Sequence, residues 1–352
     1  MFDVRYTNDI VLLIWMGIAF FLSKDATRKK VTILGQEEER YTLLFAVIVF
    51  YPLFWFVTTV FMRGDMYTYQ DGYNGMTMTV GDVIQNWDSI GKGPGYSLLC
   101  AWSKSMGFNE FRQFRVVIAL LQSAPLVLIY WKYSEDYVYS IYLFVATMSY
   151  DGWMMNGMRQ FLAACLVFAA FPFLLKKKYV FTVLLLYAAV SVHKSAIMMI
   201  PVFILIHFKP WAKSTIFLML VFMVVLYIYV RRSDWMDEEA LQASRGSSPI
   251  RILINAIPVV IAFFGRKQIA LANNRLINMC INMSMVTVIV YIVASMTSGI
   301  MTGRLPGYTM LFNFLLYPYL LSKVFNETVS KNIRLLVTLF YVAFFIADLY
   351  FI

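Results

Sequence analysis

Apolar runs recur along the whole chain, and they constrain its fold more than any other feature. Each run is about 14 to 22 residues long, close to what an α-helix needs to cross the hydrocarbon core of a bilayer. Backbone groups that face lipid must hydrogen-bond within their own segment, and the alternating pattern of barrel strands is absent. The sequence therefore predicts an all-α, polytopic integral membrane protein.

Composition and charge agree with this class. Hydrophobic residues make up 61 % of the 352 residues and charged residues 14 %, which is too apolar for a soluble globule. The net charge is +10, but the basic residues are scattered through short loops, so we expect no nucleic-acid partner. Cys100, Cys165 and Cys280 lie in apolar stretches without metal-type spacing, and we expect buried thiols.

About twelve transmembrane helices are predicted, within a single transmembrane domain over residues 1–352. They are placed at 9–22, 41–62, 115–131, 137–150, 158–175, 179–191, 195–208, 214–230, 250–264, 276–297, 306–322 and 334–352. The apolar segment 95–108 is short, and we interpret it as re-entrant or interfacial; a true span is the alternative. The outer loops 63–94 and 231–249 are expected to carry short interfacial helices, one of which starts within 233–239.

Basic residues set the expected orientation. If 95–108 does not cross, most basic loops fall on one side, which the positive-inside rule assigns to the cytoplasm. They include Lys24, Arg28 to Lys30, Arg40, Lys132, Lys176 to Lys178, Lys209, Lys213, Arg266, Lys267, Arg275, Lys323, Lys331 and Arg334. Both termini and the segments 63–94, 151–159, 193–195, 231–251 and 299–308 then face outward.

The longest apolar run, Tyr179–Phe208, is interrupted only by His193-Lys194 and is flanked by lysines at both ends. One helix over this run would be about 45 Å long, well beyond the hydrocarbon core. We therefore predict a hairpin of two short helices whose tip, His193-Lys194-Ser195, lies within the outer leaflet. Ionisable groups at that depth are costly and indicate a functional site.

The tip residues have two interpretations. His193 can act as a general base or acid, and Lys194 can neutralise a phosphate. The alternative is a structural cap made by His193 and Ser195. Since His207 is the one other histidine, we expect no multi-histidine metal site.

Arg63-Gly64-Asp65 directly follows a predicted span and precedes several tyrosines, among them Tyr69. A carboxylate near a membrane exit can act as a base or orient an acceptor. The alternative is an interfacial anchor with a local salt bridge inside an aromatic belt.

Two further arginines stand where helices begin or break. Asn156-Gly157-Met158-Arg159-Gln160 opens a long apolar helix, and a guanidinium beside a helix N-terminus suits a phosphate group. Snorkelling of Arg159 to lipid headgroups is the alternative. Arg304 lies in a segment broken by glycine and proline that ends at Tyr308. It is either a headgroup anchor or part of the same anion site, and we favour the second interpretation.

The order of these motifs resembles that of the EpsG family, which belongs with the Wzy-type polysaccharide polymerases of bacterial membranes. The motifs are Arg63-x-Asp65, Asn156-x-x-Arg159-Gln160, His193-Lys194-Ser195-Ala196 with Pro201, and Arg304-x-x-x-Tyr308. Gly157-Met158 departs from the bulky aliphatic or second amide that is more usual there. The resemblance covers most of the chain.

The resemblance implies a metal-independent glycosyltransferase of the GT-C type, without a cofactor, in the bacterial cytoplasmic membrane. Such proteins join undecaprenyl-pyrophosphate-linked oligosaccharide repeat units on the outer face, building exopolysaccharide, capsule or O-antigen. Donor and acceptor are both lipid-linked units within the bilayer. A repeat-unit flippase and a chain-length regulator are the implied protein partners.

This chemistry suggests roles for the candidate residues. Cations at the outer leaflet can stabilise the leaving pyrophosphate, and an acceptor hydroxyl needs a base, for which Asp65 and His193 are the candidates. The predicted ligands of pyrophosphate or sugar are Arg63, Tyr69, Asn156, Arg159, Gln160, Lys194, Ser195, Arg304 and Tyr308. Two other functions remain open at this point: a flippase for lipid-linked oligosaccharides and a membrane acyltransferase that modifies a polysaccharide.

Overall fold

The computed structural model describes residues 4–91, 93–232, 246–297, 299 and 302–351. It is 79 % helical and contains several long apolar helices, which confirms the all-α membrane class. The helix expected to start within 233–239 lies outside the described residues. Cys100, Cys165 and Cys280 are buried free thiols, as expected.

The chain divides into two compact units. The first unit comprises Met1–Ala196 and Asn332–Ile352, and the second comprises Ile197–Lys331. Helices of the first unit are α1 (Val4–Leu22), α2 (Leu43–Thr59), α3 (Met66–Asn74), α4 (Val80–Gln85), α5 (Pro94–Ser105), α6 (Phe111–Tyr133), α7 (Tyr137–Ala146), α8 (Met158–Leu175) and α9 (Tyr179–Val192). A 3₁₀ turn (Trp87–Ser89) follows α4, and a π turn (Tyr150–Met155) precedes α8.

A 3₁₀ turn (Lys194–Met198) leads into the second unit. Its helices are α10 (Met199–Leu205), α11 (Lys213–Arg232), α12 (Pro249–Phe264), α13 (Arg266–Ala272), α14 (Arg275–Met296) and α15 (Asn313–Tyr319). Two 3₁₀ turns (Thr302–Tyr308 and Met310–Phe312) precede α15, and a π turn (Leu320–Val324) follows it. The last helix, α16 (Glu327–Phe351), belongs to the first unit from Asn332 onward.

Five of the described helices are long and apolar enough to cross a membrane, namely α6, α8, α11, α14 and α16. The pair α12 and α13, bent by 70°, makes a sixth if it is one span. Most other predicted spans fall on shorter apolar helices of 10–17 residues. The span expected at 195–208 begins as a 3₁₀ turn, and that at 306–322 is divided among 3₁₀, α and π turns. The count of about twelve spans is therefore not confirmed.

Helix α8 lies inside the first unit, since most of its side chains are buried and it packs on α6 and α9. All residues of α7 are buried as well. In contrast, α11 and α16 bury few of their residues, as expected of helices with a face toward lipid. The start of α8 is thus held by packing on several sides.

Helices α6 and α8 run in the same direction. Gln122 donates to the carbonyl of Met158 (2.9 Å), and further along the two helices Tyr130 packs on Phe168 (ring centroids 5.3 Å apart). Both helices therefore begin at one end of the first unit and finish at the other. We call the end where α6 and α8 begin the site end, and the end where they finish, at Lys132 and Lys176, the basic end.

The basic end carries a β-hairpin that the sequence reading missed. Strands β1 (Arg28–Ile33) and β2 (Gln36–Tyr41) pair antiparallel, and Leu34 and Gly35 between them have φ of 51° and 88°. Two such residues form the tight turn whose twist suits a hairpin. Arg40 Nε donates to the carbonyl of Lys132 (3.2 Å), which fastens the hairpin to the end of α6.

Helix α5 has both its ends at the site end. Its first residues pack against Val192, the last residue of α9, and its end leads directly into the start of α6. Arg115 in that start donates to the carbonyls of Val57 (2.7 Å) and Val60 (3.2 Å) at the end of α2. A twelve-residue helix is also only about 18 Å long. These contacts support the interpretation of 95–108 as a segment that does not cross.

Candidate active site

An arginine shared by two carboxylates lies at the site end. The guanidinium of Arg63 donates to both oxygens of Asp9 (2.8 and 3.1 Å) and to Asp151 Oδ1 (3.2 Å). The Tyr150 hydroxyl donates to Asp9 as well (2.7 Å). Asp9 is 0 % exposed, whereas the Asp151 side chain is 25 % exposed. Arg63 thus pairs with acids from α1 and from the turn before α8.

The charged groups in this cluster shift one another's pKa values. Burial alone lowers the pKa of Arg63, but the hydrogen bonds and charge of Asp9, with the charge of Asp151, outweigh it and raise the pKa. Burial raises the pKa of the Asp151 carboxyl; Arg63 opposes this, while the charge of Asp9 adds to it. Arg63 therefore stays charged, and Asp151 is a stronger base than an ordinary aspartate.

Gly64 lets the chain pass close to Asn156. Its φ is +49°, and a Cβ there would lie 2.1 Å from Asn156 Oδ1, so only glycine fits. The backbone N–H of Asp65 donates to that oxygen (3.3 Å), and Asn156 Nδ2 donates to the carbonyl of Asp151 (3.2 Å). The amide of Asn156 thus connects the segment after α2 to the turn before α8. The Asp65 side chain does not cap α3.

Arg159 in the first turn of α8 lies over an aromatic ring that the sequence reading did not select. Its guanidinium carbon is 5.9 Å from the ring centroid of Tyr96 in α5, within the range of a cation–π contact. Tyr96 in turn packs on Tyr69 of α3 (ring centroids 6.2 Å apart). The Arg159 side chain is half-buried, so part of it is accessible from outside.

The break after α9 meets the same turn of α8. His193 Nδ1 shares a hydrogen bond with Ser195 Oγ (2.7 Å), and Gln160 Nε2 lies 3.5 Å from the same oxygen. Ser195 is buried, His193 is half-buried and Lys194 is exposed. The contact with Ser195 fixes the orientation of the imidazole. The break expected within the long apolar run is therefore present at His193.

These contacts bring most of the sequence-predicted residues together. Asn156 and Gln160 are four residues apart in sequence, one just before α8 and the other in its first turn. Asn156 accepts a hydrogen bond from the backbone of Asp65 after α2, and Gln160 contacts Ser195 in the break after α9. Arg159 stands between these two residues in the sequence. Arg304 and Tyr308 belong to the second unit, in the 3₁₀ turn that packs on α14. Their part in the site stays a prediction.

Two glycines at the start of α5, Gly93 and Gly95, permit its contact with the end of α9. Gly93 has φ of +94°, and a Cβ there would lie 2.4 Å from the carbonyl oxygen of Val192. A Cβ on Gly95 would lie 2.3 Å from Ser191 Oγ. The close approach places Tyr96 beside Arg159 and holds the backbone that leads into His193.

Substitution of Gly93 by alanine is expected to destabilise the protein more than the same change at Gly107. Both glycines have positive φ, which costs alanine about 1–3 kcal/mol, but a Cβ on Gly107 meets nothing within 4 Å. The extra loss at Gly93 measures the contact with α9. Thermal unfolding midpoints in detergent compare the two variants, and equal losses would contradict this account of the contact.

Asp9, Tyr96 and Asp151 are the site residues that sequence reasoning missed. A signal for two of them was present: Asp9 opens the first predicted span and Asp151 follows another, both on the side predicted for Arg63. An acid at the end of a span is too common to be selected without its partner. Tyr96 had no signal beyond its place after three closely spaced glycines. Within the described residues, His, Cys, Asp and Glu form no group of three that could hold a metal ion.

Fold and site together define a helical integral membrane protein with a cluster of charged and polar side chains at one end of a buried helix. The family model of the EpsG family matches residues 43–352, and the chain belongs to this family. The resemblance read from the motifs is therefore confirmed. Membership indicates an exopolysaccharide-related polymerase of membranes. No curated protein and no solved structure matches the chain.

Proposed function

We propose that this protein is a metal-independent GT-C-type glycosyltransferase that polymerises undecaprenyl-pyrophosphate-linked oligosaccharide repeat units. Exopolysaccharide, capsule or O-antigen is the product class. The observation that carries the proposal is the start of α8. There Arg159 stands in sequence between Asn156, which contacts Asp151, and Gln160, which contacts Ser195, the partner of the His193 imidazole. A glycosyl pyrophosphate needs a cation at its leaving group and a base at its acceptor, and this turn has both nearby.

The leaving pyrophosphate is assigned to Arg159, with Lys194 and the N-terminal dipole of α8 adding positive potential. Arg63 was predicted as a ligand of pyrophosphate or sugar, but its guanidinium is already paired with two carboxylates, Asp9 and Asp151. We therefore assign Arg63 to the support of the site. Asp65 and His193 remain the predicted candidates for the acceptor hydroxyl, and Arg304 and Tyr308 remain predicted ligands from the second unit.

The proposed site faces the outer surface of the bacterial cytoplasmic membrane. The basic end of the first unit carries the hairpin with Arg28 to Lys30, the end of α6 with Lys132, and the lysines that follow α8. The positive-inside rule assigns that end to the cytoplasm, so the site end is exoplasmic. A lipid carrier then reaches the site from the bilayer, and its pyrophosphate lies at the level of the first turn of α8.

Purified protein in liposomes, incubated with lipid-pyrophosphate-linked repeat units, tests the proposal. A ladder of products that differ by one repeat unit is expected. Movement of labelled units across the bilayer without a ladder would favour a flippase instead. Products that gain an acyl mass at constant sugar number would favour an acyltransferase. Adding Arg304→Ala to the assay tests the predicted role of the second unit.

A further inference from the structure

We propose that the Asp151 carboxylate takes the proton of the acceptor hydroxyl, and that Asp9 of α1 is its positioning residue through the arginine they share. This inference rests on the proposed polymerase function. It concerns a residue that the sequence motifs did not select and another, Asp9, that precedes the region matched by the family model, 43–352.

Both oxygens of Asp151 are held in place. Oδ1 accepts from Arg63 Nη1 (3.2 Å) and Oδ2 accepts from Asn156 Nδ2 (3.4 Å). A carboxylate oxygen has more than one lone pair, so each can still accept from a substrate hydroxyl. Of the two acids on Arg63, Asp9 is 0 % exposed and Asp151 is 25 % exposed. A substrate can therefore reach Asp151 and not Asp9.

Asp9 acts on Asp151 through Arg63, which donates hydrogen bonds to both carboxylates. It bonds Arg63 through both of its oxygens and accepts from the Tyr150 hydroxyl, so it fixes the guanidinium and the backbone next to Asp151. The charged groups that face Asp151 are Asp9 from α1 and Arg63 from the segment after α2. One cation between two carboxylates leaves Asp151 only partly neutralised. Its raised pKa suits a group that must accept a proton near neutral pH.

The location of Asp151 also suits the reaction. Its partner Asn156 stands one residue before Gly157, which precedes the first turn of α8 and Arg159. In the proposed step the acceptor hydroxyl transfers its proton to Asp151. The acceptor oxygen forms the new bond to the anomeric carbon, and the bond from that carbon to the pyrophosphate breaks with its electron pair. Arg159 stabilises the charge that this leaves on the pyrophosphate, and Asp151 then releases the proton to water.

Asp151→Asn in the liposome elongation assay tests the inference. We expect kcat to fall about 100-fold, because the amide keeps the shape and loses the proton acceptor, while KM for the acceptor stays the same. Asp151→Glu keeps a carboxylate and is expected to retain more activity than Asp151→Asn. The matched control is Asp136→Asn: Asp136 also pairs with an arginine (Arg334, 2.6 Å) and is 23 % exposed, but lies at the basic end. It is expected to elongate at the wild-type rate.

The pH dependence of Asp9→Asn tests the coupling. Elongation by the wild type is expected to rise with pH through the pKa of Asp151, since the base must be ionised. The charge of Asp9 raises that pKa, so its removal lowers it and the acid limb moves to lower pH. If the role of Asp9 were purely structural, Asp9→Asn would lower the rate of elongation and the acid limb of the pH–rate profile would stay at the same pH.

The outcomes separate this inference from the proposed function. If the wild type forms no ladder, the polymerase function itself fails. If the wild type elongates and Asp151→Asn does so at the same rate, the inference fails and the function stands. Loss of kcat in Asp65→Asn or His193→Gln, with Asp151→Asn active, assigns the base to that residue instead. If Asp151→Asn does not fold, an unmoved acid limb in Asp9→Asn overturns the inference.

Discussion

Replacing Arg159 by alanine is expected to lower the rate of elongation by about 10²–10³-fold, the loss typical of one preorganised donor at a developing negative charge. The guanidinium lies in the first turn of a buried helix, over the ring of Tyr96, so it is held in position before substrate binds. Arg159→Lys keeps the charge but loses the planar fork that holds two phosphate oxygens, and an intermediate rate is expected.

Rates from the liposome assay at equal protein amounts measure this effect. The matched control is Arg112→Ala, which removes a cation from the same end of the first unit, one residue into α6, where the side chain is exposed. Its rate should match the wild type. Full-length polymer in cells that carry Arg159→Ala at normal protein level would refute the assignment of Arg159 to the pyrophosphate.

Replacing Arg63 by methionine is expected to destabilise the protein by about 3–5 kcal/mol, the cost of leaving a buried charge without its partner. Asp9 has no exposed surface and receives two of its hydrogen bonds from Arg63. The variant leaves it with the Tyr150 hydroxyl and no cation. The thermal unfolding midpoint in detergent should fall sharply. Lys30→Met, which breaks an exposed pair with Glu37 (3.3 Å), should leave the midpoint unchanged.

A double variant shows whether the uncompensated carboxylate is the cause. In Arg63→Met the buried Asp9 carboxylate has lost its cation. Adding Asp9→Asn removes that uncompensated charge. We expect the double variant to unfold at a higher temperature than Arg63→Met alone. The loss of stability in the double variant is then smaller than the sum of the losses in the two single variants. A double variant less stable than either single variant would contradict the role of Arg63 as the counter-ion of Asp9.

Sequence reasoning could find the motifs of the site because each is a local pattern with a physical cost. His193 interrupts a run of apolar residues, and Arg159 stands in the first turn of a long apolar helix. The sequence shows a glycine between Arg63 and Asp65, but it does not show why a larger residue would not fit there. The side chain of Asn156, more than ninety residues away, occupies the space where a Cβ would stand.

Other features depend on distant contacts and had no local pattern. Asp9 and Arg63 are 54 positions apart, and Arg63 and Asp151 are 88 positions apart. Each acid alone looks like an ordinary polar residue at the end of a span. The hairpin of β1 and β2 was also missed, because it is short and highly charged, and its docking depends on the end of α6.

Hydrophobic length and the order of a few polar motifs were enough to establish an apolar helical membrane protein and its family, because both are properties of linear order. Tertiary structure alone decided which acid neutralises which arginine, and which aromatic ring lies beneath Arg159. Those pairings depend on helix direction and packing at the site end. Since each helix contributes only one or two polar side chains there, no single stretch of the chain contains the site.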